Sequence, residues 1–413
     1  MDSEGSFATK SIHAGSKPRV NHSMVCPIFQ SATYEQPSLD QRYEDIKYLR
    51  LNNSPTHEHL DAKIGQLENG TALVLSSGMA AITTSLLALC SSGDHILMQD
   101  PCYGASTVFA THDLTRFGMD VTFFNSFDVQ SIDEVLSLLR PSTRVIYVES
   151  IANPLTRIPN MPVIIEAAKL FGERHGTRII TMIDNTFATP YLQSPLQWGI
   201  DVVIHSSTKY LGGHSDVVGG VLVTNDKAIK ERSDFYRLAM GLNPSPFDCW
   251  LVSRSIKTLA ARMDRHSATG QSLAEYLSKH PRVSRVHFPG LPSHPDHNVA
   301  VRQMPRGYSG MVSAEFNLSL EETKRLISSF KVITLAESLG GVESLVDHPA
   351  SMTHASIPAE ERRAMGLNDG LVRFSFGLED AHDLMTDIEE ALAKVLAARE
   401  TSKDHTATDD KVC

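Results

Sequence analysis

Arg178-Ile179-Ile180-Thr181-Met182-Ile183-Asp184-Asn185-Thr186, followed about twenty residues later by Asp201-Val202-Val203-Ile204-His205-Ser206-Ser207-Thr208-Lys209-Tyr210, decides how this chain is read. Both are short, β-branched runs that stop at polar residues, the signature of strands. Five more runs of the same kind lie around them: Ala72–Leu75, His95–Gln99, Val121–Phe124, Arg144–Glu149 and Gly220–Thr224. They alternate with helical patterns such as Met79–Cys90, Ile132–Leu139 and Val163–His175. Strand, helix, strand at that rhythm predicts an α/β fold with a mainly parallel, seven-stranded sheet covered on both faces.

Farther out the pattern changes. An amphipathic stretch, Phe247–Lys279, leads into strands at Val283–Phe288, Met311–Asn317 and Val372–Phe376, mixed with helices at Leu320–Ser328 and Ala381–Ala397. A smaller C-terminal α+β domain is expected there. Residues before about Thr56 carry Pro, Asn and Ser punctuators and little periodicity, and read as an extended arm. The organisation expected is an arm over 1–60, a large domain over 61–255, a C-terminal domain over 256–399 and a disordered polar tail over 400–413.

In open parallel sheets, ligands gather at the carboxyl ends of the strands. An acid there, such as Asp184, is alone most simply a helix cap. Lys209 at the end of the next strand, flanked by Ser206, Ser207 and Thr208 and followed by Gly212 and Gly213, is poorly explained by packing. Ser and Thr hydroxyls bind phosphate oxygens, an amine condenses with an aldehyde, and a carboxylate pairs with a pyridinium nitrogen. Leu75-Ser76-Ser77-Gly78-Met79-Ala80 joins a strand to a helix, and its backbone N–H groups with the helix dipole make an anion seat. Each signal alone is weak. Their conjunction points to pyridoxal 5′-phosphate (PLP).

Composition narrows the classes. The 413 residues suggest two packed domains, and 41% hydrophobic with 21% charged residues is an ordinary globular balance. A formal net charge of −10 with no dense Lys/Arg run makes nucleic acid and anionic membranes poor partners. The five cysteines (26, 90, 102, 249 and 413) are scattered without a CxxC spacing, which fits a reducing, cytoplasmic setting and no metal. The acidic N-terminus lacks the apolar core of a secretory signal, and no apolar stretch is long enough to span a bilayer. His57 and His59, or His294 and His297, have no third ligand at helpful spacing and read as structural or surface histidines.

At longer range the chain resembles the Cys/Met-metabolism family of PLP enzymes, the cystathionine γ-synthase-like group of the PLP-dependent transferase fold type I. The resemblance rests on five blocks: Ile12-His13-Ala14-Gly15, His205–Tyr210, Ser338-Leu339-Gly340-Gly341-Val342-Glu343-Ser344-Leu345, His348-Pro349-Ala350-Ser351-Met352-Thr353-His354 and Arg373-Phe374-Ser375-Phe376-Gly377-Leu378-Glu379-Asp380. It implies that Lys209 holds PLP and shuttles protons, and that Asp184 pairs with the pyridine nitrogen. Ser206 and Thr208, with the amides of Gly78 and Met79, would hold the phosphate. Tyr103 would stack on the ring and act on the leaving group, and Asn153 would lie near the ring hydroxyl and the substrate carboxylate. Arg373 would grip the substrate carboxylate, with Ser338 positioning the Lys209 side; it sits in a strand pattern with Leu371, Phe374 and Phe376, where an unpaired arginine is expensive, so a bound anion is favoured. Tyr48 and Arg50 would reach the phosphate of a neighbouring subunit in a homotetramer, a dimer of dimers.

Two departures from the family pattern bear on substrate. The arm motif, Tyr48-Leu49-Arg50-Leu51-Asn52-Asn53-Ser54-Pro55-Thr56, is one residue longer than the family's usual spacing. Relatives that handle cystathionine or succinylated homoserine usually carry an arginine five residues after the stacking tyrosine, where this chain has Val108. The cysteine of methionine γ-lyases, two after that tyrosine, is Ala105, whereas Glu337 before Ser338 resembles the cystathionine enzymes. The resemblance thus implies γ-replacement or γ-elimination on an activated homoserine, most plausibly the O-acetyl ester, with a thiol or carbon nucleophile. The alternative is a cystathionine γ- or β-lyase. A nicotinamide dehydrogenase would need a GxGxxG after its first strand, and none is present. A non-catalytic binding protein would not need Asp184, Lys209 and Arg373 together.

Overall fold

The computed structural model describes residues 5–16, 19–42, 45–125, 129, 131–352, 360 and 367–409. The chain divides into two units. One comprises residues up to Asn153, Arg157–Met263 and Asn298–Arg306; the other comprises Pro154–Thr156, Asp264–His297 and the chain from Gly307.

In the first unit the β-branched runs form one seven-stranded sheet. Its strands are β1 (Thr71–Leu75), β2 (His95–Gln99), β3 (Asp120–Phe124), β4 (Thr143–Glu149), β5 (Ile180–Asp184), β6 (Val202–Ser206) and β7 (Gly220–Thr224). Their spatial order is β1-β7-β6-β5-β4-β2-β3. The pairs β2/β3, β2/β4, β4/β5 and β5/β6 are parallel, and β7 runs antiparallel to both β1 and β6. The mainly parallel seven-stranded sheet expected from the sequence is present. Apolar side chains from the strands, including Leu73, Ile96, Tyr147, Met182 and Ile204, pack with Ile82 and Leu86 of the helix Gly78–Leu89 in a buried core.

Local chemistry sets the helix ends. Ser77 Oγ accepts from Ala80 N–H at 3.0 Å and starts Gly78–Leu89. Ser131 and Glu134 make a reciprocal capping box at the start of Ile132–Leu138. Helix Met161–His175 stops at Gly176, whose φ of 63° suits a residue without Cβ.

In the second unit five strands form a separate sheet. They are β8 (Val283–His287), β9 (Met311–Phe316), β10 (Thr334–Leu335), β11 (Leu345–Asp347) and β12 (Leu371–Ser375), in the order β10-β11-β12-β9-β8. All its pairs are antiparallel except β10/β11. The core holds Phe288, Phe316, Phe374 and Phe376 with Leu384 and Ile388 from the last helix.

Several details differ from the sequence reading. The stretch Phe247–Lys279 is two helices, Pro246–Ile256 and Leu259–Ser278. Lys257 and Thr258 donate to Arg254 O and Ser255 O, three residues back, which tightens the ladder and breaks it. The arm is not simply extended: Ser6 caps a helix over Phe7–His13, held where buried Lys63 donates to Ser11 O and Ile12 O. Strands β10 and β11 are too short for alternation to announce them. The last helix runs from Ala381 to Asp409, into the segment expected as a disordered tail. Once a helix is nucleated, each further residue is added at little cost, and 400–409 contains neither Pro nor Gly to stop it. Residues 410–413 lie outside the described chain, as do Thr353 and His354 of the fourth family block.

Candidate active site

The first unit gathers its chemistry at the carboxyl ends of β2, β4, β5 and β6. Sequence order reverses around β2, which lies between β3 and β4, so these ends flank a switch point where ligands bind in open α/β sheets. Asp184 closes β5, and its Oδ1 accepts from Thr186 N–H at 2.9 Å. Burial pushes its carboxyl above the usual carboxylate range, against the hydrogen bonds from Thr186 and the field of His205. A ring N–H cation placed against it would restore the charged form.

Ser206 ends β6, and its N–H donates to Thr186 Oγ1 at 2.8 Å. The turn behind it closes when Lys209 N–H donates to Ser206 O (3.2 Å) and Gly213 N–H to Lys209 O (2.7 Å). Gly213 has a φ of +66°, and a Cβ there would lie 2.2 Å from Arg262 Nη1. That guanidinium donates to Tyr210 O at 2.6 Å and Ser255 O at 3.1 Å, bracing the Lys209 loop. Thr208 Oγ1 accepts from Gly219 N–H at 3.0 Å and donates to Gly219 O at 3.3 Å, so its hydroxyl is already engaged with backbone.

Gly78 and Met79 head their helix, where N–H groups have no intrahelical acceptor. Gly78 also packs tightly on β6: a Cβ there would sit 2.7 Å from Ser206 Cβ and 3.0 Å from its Oγ. The sequence places these two groups 128 residues apart, and the fold makes them one cradle of amides and hydroxyl. The donor set fits PLP. Helix-head amides and Ser206 suit a phosphate, the half-buried Asp184 suits a pyridinium, and Lys209 follows on the same turn with the amine an aldehyde needs.

Tyr103 and Asn153 share an anchor that sequence reasoning missed. Glu149, the last residue of β4, is 5% exposed. Its Oε1 accepts from Tyr103 N–H at 2.6 Å and its Oε2 from Asn153 N–H at 3.1 Å. Tyr103 itself is 45% exposed, so it is no core aromatic, and it introduces the helix Gly104–Val108 on which Ala105 and the exposed Val108 lie. Behind Asp184, His205 Nε2 and Glu68 Oε1 lie 2.5 Å apart, wholly buried, and Asn185 Nδ2 donates to the same oxygen at 3.1 Å.

Tyr48 and Arg50 stay at the surface of the first unit, with the Arg50 guanidinium 5.5 Å from the Tyr48 ring centroid. Within the arm, Leu49–Leu51 makes a 3₁₀ turn and Asn52 takes a left-handed φ of 57°, its Nδ2 donating to Val74 O at 2.9 Å. The four histidines considered as metal ligands are engaged with other groups. His57 lies between Ser54 and Pro244 O, His59 faces Gly15 O, His294 Nδ1 accepts from Asp296 N–H, and His297 faces Pro289 O.

In the second unit Arg373 lies mid-strand in β12, 4% exposed. The sequence reading treats it as an unpaired arginine whose burial demands a bound anion. The structure corrects that premise: Asp347, opposite it on β11, forms an ion pair with its Nη2. Burial, helped by Glu337, raises the Asp347 carboxyl to about 6 in spite of Arg373. Arg373 Nη2 also reaches Ser338 O at 3.4 Å. Ser338 holds a φ of +95°, a conformation that costs a non-glycine residue about 1–3 kcal/mol and gathers at functional sites. Glu337 beside it is exposed.

Comparison with known proteins agrees with this chemistry. Residues 8–393 match the family described as Cys/Met metabolism PLP-dependent enzyme. The chain is 43% identical over 390 residues to a cystathionine beta-lyase of Coxiella burnetii, covering 93% of this chain and 97% of that one. It is also 43% identical over 387 residues to a cystathionine gamma-synthase of Mycobacterium bovis, covering 93% and 96%. Among solved structures, a cystathionine gamma-lyase from Lactobacillus plantarum complexed with L-serine superposes with a TM-score of 0.88 at 36% identity, covering 95% of this chain and all 100% of that one. With a match this long and a site of this composition, the chain belongs to the Cys/Met metabolism family of PLP-dependent enzymes, and PLP is its cofactor.

Proposed function

We propose that this member of a family of transsulfuration-type lyases and synthases carries out γ-replacement or γ-elimination on an activated L-homoserine, the O-acetyl ester above others, joining a thiol or carbon nucleophile at Cγ. The observation that carries the choice is Val108, 51% exposed at the end of the helix that Tyr103 introduces, with Ala105 on the same turn. Neither offers a cation to a distal carboxylate.

Bound PLP supplies an electron sink for the charge that develops at Cα. Lys209 Nζ takes the proton from Cα and then serves Cβ, because one mobile amine reaches both carbons. Asp184 keeps the ring nitrogen protonated, Tyr103 covers the ring and serves the leaving group, and Asn153 orients the ring hydroxyl. The phosphate is held by Ser206 and the amides of Gly78 and Met79, and Thr208 joins them by turning to the phosphate the proton it otherwise gives to Gly219 O. Arg373 binds the substrate carboxylate through two donors and fixes the Cα–H bond, with Ser338 beside it.

O-Acetylhomoserine, cystathionine and O-succinylhomoserine share the α-amino and α-carboxyl groups, so discrimination falls to the far end. Burying a free carboxylate there without a partner is costly, whereas the acetyl group ends in a methyl. A hydrogen-bonded charged contact is worth about 1.5–3 kcal/mol, which corresponds to roughly ten- to over a hundredfold in kcat/KM. The test is kcat/KM for the three substrates on one preparation, with O-acetylhomoserine expected to lead by at least that factor. A second reading, cleavage of cystathionine by a γ- or β-lyase, is favoured by Glu337, whose exposed carboxylate suits a distal ammonium. Equal or better use of cystathionine would move the enzyme to that reading.

The setting proposed is the cytoplasm, supported by the free thiols of Cys26, Cys90, Cys102 and Cys249. Burial raises the Cys90 thiol to about 12, which keeps it inert.

A further inference from the structure

We infer that Glu149 is a positioning residue of the cofactor site, one buried carboxylate that sets the backbones of Tyr103 and Asn153 relative to the sheet. Tyr103 comes from the turn after β2 and Asn153 from the turn after β4, so the two are held by different segments. Glu149 ends β4, in parallel register with Asp184 on β5. Its two oxygens take one N–H each, Tyr103 at 2.6 Å and Asn153 at 3.1 Å.

The carboxylate is itself fixed from behind. Glu149 N–H donates to Gln99 Oε1 at 3.0 Å, and Gln99 Nε2 donates to Pro101 O at 3.2 Å. Gln99 is fully buried, so the turn carrying Tyr103 is held at two points two residues apart. A carboxylate suits this place because it offers two equivalent acceptors to two donors. A glutamine of the same shape would accept one N–H and turn its amide donors toward the other. Keeping an acid here is expensive: burial and the charge of Asp184 push the Glu149 carboxyl upward, against the pull of both N–H bonds.

The inference rests on Tyr103 and Asn153 belonging to the PLP site, and the experiment separates the two claims. Apparent Kd for PLP is measured on apo-enzyme by absorbance titration without substrate, for wild type, Glu149→Gln, Glu149→Asp, a Tyr103→Ala,Asn153→Ala background, and that background with Glu149→Gln. Glu149→Gln is expected to weaken PLP binding about tenfold in the wild-type background, in line with one charged hydrogen bond. In the double-alanine background the same change is expected to cost less than about twofold, because the groups it acts through are gone. Glu149→Asp keeps the charge but shortens the reach and is expected to fall between, and it serves in place of Glu149→Gln if that variant does not fold. An equal loss in both backgrounds overturns the inference by assigning Glu149 a general structural role, as does wild-type affinity in Glu149→Gln. If the double-alanine background binds PLP like wild type, the placement of Tyr103 and Asn153 at the cofactor fails instead.

Discussion

Burial pushes the carboxyls of Asp184, Glu149 and Asp347 upward, but different neighbours oppose the push. Asp184 was legible in the sequence because it ends a strand one step before the lysine strand. Glu149 ends a strand in the same way, yet its meaning depends on which backbone amides a later fold brings to its two oxygens. Asp347 was hidden for a related reason: it pairs across β11 and β12 with a residue 26 positions away, on a strand of three residues. The Asp347–Arg373 pair yields a pH test. Its folded carboxyl, at about 6, lies above the 3.8 of an unfolded chain, so between those values the folded state holds a proton that the unfolded chain has released. Stability from this group is therefore fully present below about 4 and is lost as pH rises toward 6 and a little beyond. In apo-enzyme melts against Asp347→Asn at pH 4.5, 5.5, 6.5 and 7.5, the wild type is expected to lose ground to the variant as pH rises and then level off. Above that window the variant should be the more stable of the two, because asparagine keeps the neutral form that burial favours at this position. A wild-type advantage that grows with pH would mean that Arg373 outweighs burial.

Elements were read from the sequence to within a residue or two wherever a run of β-branched residues met a polar stop: β2 and β7 begin and end where expected, and β5 is shorter by Arg178 and Ile179. Periodicity failed where it is physically weak, at β10 and β11, and at the tightened turn that divides Phe247–Lys279. The phosphate cradle shows why contact between elements is harder to read than the elements are. The turn Ser77-Gly78 touches both β6 and β7: a Cβ on Gly220 would lie 1.9 Å from Ser77 O, as one on Gly78 would meet Ser206. Glycine at 220 is therefore required by approach, although its strand pattern would accept any β-former. Ser77→Ala removes the cap on Ala80 N–H and should cost about 1 kcal/mol of helix stability, with PLP affinity down several-fold as the first turn frays. Gly220→Ala should do more damage to PLP binding, because the new methyl displaces backbone at the head of the helix. Both are measured by PLP titration and melting of the apo-enzyme. A folded Gly220→Ala protein with wild-type PLP affinity would show that the amides of Gly78 and Met79 do not hold the phosphate.

For the molecule as a whole, the arm raises the question of what covers it. Met24 is 68% exposed and Leu39 fully so, while Tyr48 at 39% and Arg50 stack on each other at the surface of their own unit. The base of the arm is tied down: Leu49 N–H donates to Ala32 O at 2.8 Å, and Asn243 Nδ2 to Arg50 O at 2.7 Å. A tethered base presenting apolar side chains and a cation is suited to a second copy of the chain rather than to water. We propose a homotetramer, a dimer of dimers in which Arg50 and Tyr48 serve the phosphate of the neighbouring subunit. This belongs to the scale at which sequence patterns are least informative, since periodicity reports a chain's own core and not the surface of a second copy. Subunit exchange tests it directly. Arg50→Ala and Lys209→Ala homodimers should each be nearly inactive, the first for want of a phosphate contact and the second for want of its proton carrier. In a two-fold dimer that shares its sites, the mixed dimer has one site with both wild-type groups and one with neither. Random exchange of equal amounts makes about half of the dimers mixed, so about a quarter of all sites, and about that share of wild-type activity, should return. If exchange is complete and no activity returns, Arg50 serves the site of its own subunit.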